Sequence, residues 1–225
     1  MMMVKLLRAV HNSMLKKYAF VRRISWALFQ QKKEFAFHRG VGGRWRMTDA
    51  FLQQTRKMFT SWGYDEGDFD GGYVVDIGAG SKLRSKFFKM AKIVVIDPLA
   101  VQYRDLPFSD ILQAHKVFAV PAEKCIDEIV GLADLVVCIN VLDHVMDPRA
   151  VLENCLKYLK LSGELLLSVD CHGGDVSPSH PWGFFEDELL RLIEKVGFEV
   201  TSLVRDDGYQ HIEDQTITLK LRAKK

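Results

Sequence analysis

The stretch VVDIGAGSK at residues 74–82 combines residue types that could hold a charged ligand. Two valines lead into Asp76, and Gly78 and Gly80 follow with Ala79 between them. Glycines at this spacing let a strand turn sharply and let a ligand come close to the backbone. The carboxylate of Asp76 would favour a cationic group nearby. The stretch therefore predicts a small-molecule site at the end of a strand.

Three kinds of ligand could bind at such a turn, and the sequence matches their motifs to different degrees. A phosphate-binding loop needs G-x-x-x-x-G-K-[ST], and no earlier glycine stands at the right spacing before Lys82. A dinucleotide site needs G-x-G-x-x-G, but Leu83 occupies the third glycine position. S-adenosylmethionine carries a sulfonium and an amino group, which suit Asp76. The next apolar run ends in Asp97, whose carboxylate could accept hydrogen bonds from the ribose hydroxyls of either adenosine ligand.

Three histidines are candidates for moving a proton. His144 lies in NVLDHVMDP, while His172 and His180 lie in the glycine- and proline-rich stretch CHGGDVSPSHPWGFF. Histidine titrates near neutral pH, so each could act as a general base. Each could equally bond backbone or stabilise a turn. The stretch that contains His172 and His180 could fold over a substrate.

The acids near these histidines form no recognised metal motif. Asp143 and Asp147 are four residues apart and Asp170 ends the next apolar run, but no adjacent Asp-Asn pair occurs there. We expect Asp143 to face solvent or cap a turn, and we predict no metal. The four cysteines form no C-x-x-C and no zinc-type spacing, which favours a reduced, cytoplasmic protein.

Apolar strands alternate with helical segments from Tyr73 onward, which predicts a mostly parallel sheet with helices on both faces. The last two strands, FEVTSLVRD and DQTITLKLRAK, are joined by a short polar loop that favours an antiparallel return. We expect a helix in SKLRSKFFKMA. Caps are predicted at Thr48, at Asp147 followed by Pro148, and at Gly197.

The N-terminal segment has a different charge from the rest of the chain. Residues 1–46 carry eleven Lys or Arg and one acid, Glu34, a net charge of +10, whereas the remainder carries twenty against twenty-eight, or −8. Residues 3–37 have helical spacing of apolar residues, and HRGVGGRWRM is expected to break these helices. The charges suit either a solvated helix face or contact with something anionic.

Several classes of protein are disfavoured. No apolar run has the length of a membrane span, and the first residues lack the features of a secretory signal. There is neither an RNA-binding signature nor the [DNS]-P-P-[FYW] signature of amino-group methylation, so a nucleic-acid partner is not expected.

The motifs VVDIGAGSK, VVIDP, VPAEKC, ADLVVCINVLDHVMDP and LKLSGELLLSV occur in an order that resembles class I S-adenosylmethionine-dependent methyltransferases. They are similar to the small-molecule branch with ubiquinone-type and saccharide-modifying enzymes, and the resemblance covers about two thirds of the chain. It implies a Rossmann-like, seven-stranded, mostly parallel sheet with helices on both faces and an antiparallel last strand. This domain would occupy residues 65–225, after a basic helical segment at residues 1–64.

The resemblance also implies roles for particular residues. The methionine part of S-adenosylmethionine would meet the turn, Asp97 would bind the ribose hydroxyls, and the adenine would lie against Pro98 or Leu99. The implied cofactor-binding residues are Asp76, Gly78, Ala79, Gly80, Asp97, Pro98, Leu99, Ala122, Glu123 and Asn140. Two residues depart from the family pattern, Lys82 after the turn and Pro121 before Ala122.

The activity implied by the resemblance is methyl transfer, and we expect the acceptor to be an oxygen of a small molecule such as a saccharide or a lipid-linked precursor. His172, His180 or His144 would be the base. The basic N-terminal helices would cap the substrate pocket, contact an anionic membrane surface, or receive a phosphorylated carrier. Two alternatives remain: a methyltransferase-like binding protein with little turnover, which Lys82 and Pro121 favour, and a nicotinamide-dependent oxidoreductase.

Overall fold

The computed structural model describes Met14, Val21, Ile24 and residues 29–174, 176, 177, 180–207 and 215–224. Seven strands lie within these residues. They are β1 (Tyr73–Ile77), β2 (Lys92–Ile96), β3 (Lys116–Phe118), β4 (Ala133–Ile139), β5 (Leu159–Cys171), β6 (Phe198–Asp207) and β7 (Gln215–Ala223).

The strands form one sheet in the order β3-β2-β1-β4-β5-β7-β6. The pairs among β1 to β5 are parallel, and β7 runs antiparallel to both β5 and β6. The predicted seven-stranded, mostly parallel sheet with an antiparallel last strand is therefore confirmed. Its order reverses at β1, so β1 and β4 open a crevice at their carboxyl ends.

Six α-helices lie within the described residues. They are α1 (Gln31–Arg39), α2 (Val41–Arg46), α3 (Asp49–Ser61), α4 (Ala100–Arg104), α5 (Pro148–Tyr158) and α6 (Glu186–Val196). The predicted caps are confirmed. The Thr48 hydroxyl accepts from the amide of Phe51, the Asp147 carboxylate accepts from two amides at the start of α5, and Gly197 ends α6 with φ of 109°.

Helices and loops cover both faces of the sheet. In β1, Val75 and Ile77 belong to an apolar cluster with residues of α5 and α6, whereas Val74 belongs to a second cluster with Phe59 of α3. These side chains are almost fully buried. Successive residues of a strand point to opposite faces, so a continuous apolar run is what a sheet covered on both sides requires.

The prediction of a helix in SKLRSKFFKMA is wrong, because only one 3₁₀ turn forms there, at Arg84–Phe87. Two neighbouring side chains, Phe87 and Phe88, both pack on Phe59 with ring centroids 4.9 Å away. The Ser85 hydroxyl also donates to Asp76. We attribute the short turn to these contacts, which fix three of the four side chains from Ser85 to Phe88.

The expected break in HRGVGGRWRM is correct at Gly40, but the two glycines that follow lie inside α2. A Cβ at Gly42 would lie 2.3 Å from the Phe37 ring, and a Cβ at Gly43 would lie 1.9 Å from the carbonyl oxygen of His38. These glycines therefore let α2 pack directly against α1 rather than ending helical structure.

The division of the chain between residues 64 and 65 stays a prediction. Most of the amphipathic pattern predicted in residues 3–37 falls outside the described residues. No helix in the described part of the chain has the length and apolar character needed to cross a bilayer.

We predict that Gly43→Ala lowers the free energy of unfolding by about 1–3 kcal/mol, since the added methyl would overlap the His38 carbonyl. Thermal and urea unfolding would measure the change. Gly67→Ala is the matched control, because a Cβ there meets no atom within 4 Å. Equal stabilities of the two variants would contradict the proposed packing of α2 on α1.

Candidate active site

Side chains pack closely against the glycine turn after β1 from two sides. Gly78 and Gly80 have φ of 62° and 68°, a region that favours glycine. A Cβ at Gly78 would lie 2.5 Å from the Val141 side chain, and one at Gly80 would lie 2.5 Å from the ring of His38. Both the backbone conformation and the packing therefore require glycine, whether or not a ligand is bound.

Asp97 links the glycine turn to the end of β2. One carboxylate oxygen accepts from the amide of Leu99 at 2.8 Å, and the other accepts from the amide of Gly80 at 3.0 Å. Burial raises the pKa of Asp97 to about 6, although the two amides oppose this shift. The carboxylate thus sits between the two loops that surround the crevice.

Asp76 lies beside the turn and is also buried. Its carboxylate accepts a 2.5 Å hydrogen bond from the Ser85 hydroxyl. Burial raises the pKa of Asp76 to about 6, which the Ser85 bonds partly offset. Asp76 and Ala79 do not line the crevice itself, so contact of either with a ligand stays a prediction.

A first cavity occupies the crevice at the carboxyl ends of the strands. Eight of the ten predicted cofactor-binding residues line it, together with Gln30, Glu34 and other residues. These eight are Gly78, Gly80, Asp97, Pro98, Leu99, Ala122, Glu123 and Asn140. The structure thus brings most of the predicted set to one concave surface, although the role of each residue stays a prediction.

Within this set, Glu123 has a further structural task. Its carboxylate accepts from the amides of Met146 and Asp147 at 2.7 and 3.3 Å, so it holds the loop after β4. Lys82, one of the two departures from the family pattern, does not line the cavity; its ammonium group lies 3.2 Å from the carboxylate of Asp110. Pro121, the other departure, does line the cavity.

The three candidate histidines converge on one buried carboxylate. The Nε2 atoms of His172, His144 and His180 lie 3.3, 3.7 and 3.9 Å from Oδ2 of Asp143. Asp143 has no exposed surface, so the expectation that it faces solvent or caps a turn is wrong. The loops after β4 and β5 meet here because these strands are neighbours in the sheet.

Burial and the mutual proximity of these groups set their protonation. Burial alone would raise the pKa of Asp143, but the positive charge of a protonated His144 and the hydrogen bond to His172 hold it below its usual range. Burial lowers the pKa of His180 to about 4, with repulsion from His144 as the next cause. The cluster therefore contains an ionised carboxylate and a neutral His180 at physiological pH.

A second cavity of about 280 Å³ lies next to the first. His144, His172 and His180 all line it, and so do the aromatic side chains Phe37 and Trp45. The two cavities share five residues. These are Gln30, Glu34, Gly78, Asn140 and His144. The glycine turn and the loop after β4 therefore stand between two adjoining compartments.

Sequence reasoning missed two residues of α1 at this junction. His38 is almost fully buried, with Nδ1 2.7 Å from the Ser81 hydroxyl and Nε2 3.2 Å from the Glu34 carboxylate. Burial lowers the pKa of His38, and the hydrogen bond that its ring donates to Glu34 opposes that shift. A signal was present, since Glu34 is the only acid among residues 1–46 and lies one helical turn before His38.

Known proteins resemble the chain at the level of family and fold. A family model described as a methyltransferase domain matches residues 46–203. The ubiquinone biosynthesis O-methyltransferase of Pseudomonas aeruginosa (strain LESB58) is 28% identical over 123 residues, covering 52% of each chain. The chain thus spans about half the length of this curated relative.

The chain belongs to the methyltransferase-domain family. The resemblance to class I S-adenosylmethionine-dependent methyltransferases is thereby confirmed.

Solved structures agree in fold. The 1,6-didemethyltoxoflavin-N1-methyltransferase of Burkholderia thailandensis, solved with S-adenosylhomocysteine, aligns with a TM-score of 0.62 at 16% identity over 88% of both chains. The N-methyltransferase NodS of Bradyrhizobium japonicum, also solved with S-adenosylhomocysteine, aligns at 0.62 and 15% identity over 87% of this chain and all of its own. At these identities the likeness shows a shared fold alone.

We predict that the buried carboxyl of Asp76 makes folding pH-dependent. The pKa is about 6 in the folded chain and 3.8 in the reference state, so the fold retains a proton that the unfolded chain releases. Stability contributed by this group is therefore lost as pH rises through 6, by about 2–3 kcal/mol. Asp76→Asn keeps an acceptor for Ser85 and should gain stability relative to wild type by that amount between pH 4 and 7.

Urea unfolding at several pH values would measure this difference. Asp105→Asn is the control, because that side chain is 74% exposed. A pH-independent difference between Asp76→Asn and wild type would refute the raised pKa.

Proposed function

We propose that this protein is an S-adenosylmethionine-dependent methyltransferase that modifies an oxygen of a small molecule. The observation that carries the proposal is the junction of the two cavities. Gly78 and Asn140 line both, and the histidine cluster lines the second. A cofactor in the first cavity and an acceptor in the second would meet at this junction, with imidazoles beside the acceptor.

The residues of the first cavity fit a cationic adenosine ligand. Each Asp97 oxygen accepts one amide hydrogen, and each has a further lone pair for a ribose hydroxyl. Glu34 and Glu123 also line the cavity. A cation is favoured among these carboxylates, whereas the pyrophosphate of a nicotinamide cofactor would meet charge of its own sign.

The position of Lys82 bears on the alternative of a binding protein with little turnover. Its ammonium group pairs with Asp110 and stays outside the first cavity. The departure from the family pattern at this position therefore places no cation beside the ligand. Lys82 therefore gives no support to a binding protein with little turnover, whereas Pro121, the other departure, does line the first cavity.

S-adenosylmethionine held by Gly78, Asp97 and Glu123 would supply a sulfonium methyl group to the acceptor oxygen, and the electron pair of its C–S bond would leave on sulfur. His172 takes the proton of the acceptor hydroxyl, and Asp143, 3.3 Å from its Nε2, orients the ring and stabilises the imidazolium. Placement of the two reactants in adjoining cavities supplies the alignment that such a displacement needs.

The acceptor is a small molecule that carries or adjoins negative charge. Lys33, Arg46 and Arg84 line the second cavity beside Phe37 and Trp45. Cationic groups next to aromatic surface suit an acidic saccharide or a phosphorylated, lipid-linked precursor. The ubiquinone O-methyltransferase name of the relatives supports oxygen as the methylated atom. Contact of the N-terminal segment with an anionic membrane remains a prediction.

We predict that the wild-type protein binds S-adenosylmethionine and S-adenosylhomocysteine but not NADH in isothermal calorimetry. Asp97→Ala should weaken binding of both adenosyl ligands at least tenfold, because each hydrogen bond to a charged group contributes about 1.5–3 kcal/mol to the binding free energy. Asp105→Ala, at an exposed site, is the control. Binding of NADH alone would overturn the proposed cofactor.

We predict that His172→Ala lowers kcat by roughly 10²–10⁴-fold while affinity for S-adenosylmethionine stays unchanged, since the loss concerns the proton and not the cofactor. Methyl transfer from labelled S-adenosylmethionine to candidate phenols and saccharides would measure it. The exposed His115 provides the control variant His115→Ala. Normal turnover of both His172→Ala and His180→Ala would contradict the assignment of a histidine as the general base.

A further inference from the structure

We propose that Asp143, His144 and His180 form a binding site for a divalent first-row transition metal ion in the wall of the second cavity. The inference rests on the proposed function in so far as the ion would hold the acceptor oxygen. It departs from the expectation of no metal, which rested on the missing Asp-Asn pair and on cysteines without zinc-type spacing.

The distances suit an ion after small movements. The potential ligand atoms of Asp143, His144 and His180 all lie within 4.8 Å of one another. Oδ2 of Asp143 is 3.7 Å from Nε2 of His144 and 3.9 Å from Nε2 of His180. Adjacent ligands of a tetrahedral zinc site with bonds of 2.0–2.1 Å lie roughly 3.3 Å apart. The two distances to Asp143 would therefore each shorten by about half an ångström, and the separation of the two imidazole nitrogens, which is at most 4.8 Å, by up to about 1.5 Å.

The Asp143 carboxylate has an unused oxygen. Its Oδ1 is buried and has no hydrogen-bond partner among the described residues, although Oδ2 is surrounded by three imidazole nitrogens. Leaving a buried carboxylate oxygen unpaired is costly. A cation held by the carboxylate would compensate the buried charge.

Gln30 gives a second, independent observation. Its Oε1 is buried without a partner in the described part of the chain, while its Nε2 lies 3.0 Å from Nδ1 of His144. The oxygen and nitrogen of a side-chain amide are interchangeable by rotation of the group. Rotated, Oε1 of Gln30 would accept a hydrogen bond from Nδ1 of His144, which leaves the lone pair of His144 Nε2 available to the ion.

This arrangement is the usual outer shell of a metal-bound histidine, which donates its second ring N–H to an oxygen. His180 has the same arrangement, with Nδ1 3.3 Å from the Ser177 hydroxyl. One amide rotation would thus satisfy the Gln30 oxygen and select the tautomer of His144 that can bind metal.

His172 lies outside the three ligands. Its hydrogen bond to Asp143 orients the carboxylate, and it remains the proton acceptor. Two nitrogens and one carboxylate oxygen leave a coordination position open toward the second cavity, as in catalytic sites with three protein ligands. Such a ligand set suits Zn²⁺, Fe²⁺, Co²⁺ or Mn²⁺. An acceptor hydroxyl bound there would lose its proton to His172 more readily.

The test uses the full chain, freed of metal with a chelator and then titrated with Co²⁺ and Zn²⁺. We expect calorimetry to show one ion bound per chain. We expect bound Co²⁺ to give the visible absorption band of a site with a low coordination number. Asp143→Asn and His180→Ala should each lower affinity at least tenfold, and Gln30→Leu about 10–100-fold. His115→Ala should leave it unchanged. Thermal unfolding of each variant would establish that it folds.

If Asp143→Asn fails to fold, His180→Ala and Gln30→Leu still carry the test. Absence of binding, or binding that none of these variants weakens, overturns the site. Titration of S-adenosylmethionine into the metal-free protein separates the two proposals. Cofactor binding and methyl transfer without metal would refute the inference while the proposed function stands, whereas no cofactor binding with or without metal would refute the function.

Discussion

The close packing of Val141 and His38 on the glycine turn is the constraint on which the arrangement of the site depends. Val141 brings the loop after β4 against Gly78, and His38 brings α1 against Gly80. The amide of Gly80 then bonds Asp97 at the end of β2. Three elements distant in sequence are thereby held around one turn, and both cavities are bounded by it. A side chain on either glycine would separate them.

Buried carboxylates determine much of the electrostatics around this turn. Asp76 and Asp97 are held by one or two donors each and have raised pKa values, whereas Asp143 is surrounded by imidazoles and has a lowered one. Carboxylates that are buried with few donors destabilise the free protein and favour any ligand that brings positive charge or hydroxyl groups. The two cavities thus differ in character: carboxylates dominate the first, whereas the second combines imidazoles and the cations Lys33, Arg46 and Arg84 with two carboxylates.

The amino-acid pattern was sufficient to predict the sheet and much of the first cavity. Apolar runs such as YVVDI and ADLVVCI become strands buried on both faces, and residues at their carboxyl ends must gather at one edge. Helix ends at Asp147 and Gly197 were predictable because capping is local chemistry.

The remainder depended on tertiary contacts. The exposure of Asp143 was predicted wrongly because the loop after β5 decides it. The histidines of that loop, His172 and His180, pack over the Asp143 carboxylate. His38 and Glu34 were missed because helical periodicity does not say which element a helix covers. The glycines of α2 looked like breakers because their role, close approach to Phe37 and His38, is set by neighbours outside the motif.

One further consequence follows from the position of α1. Gln31 and Glu34 of this helix line the first cavity, and Lys33, Phe37 and His38 line the second. A single helix therefore forms a wall of both compartments, and its hold on the glycine turn passes through His38 and Ser81. A displacement of that helix would expose both cavities to solvent at once, so access to the two cavities is not independent.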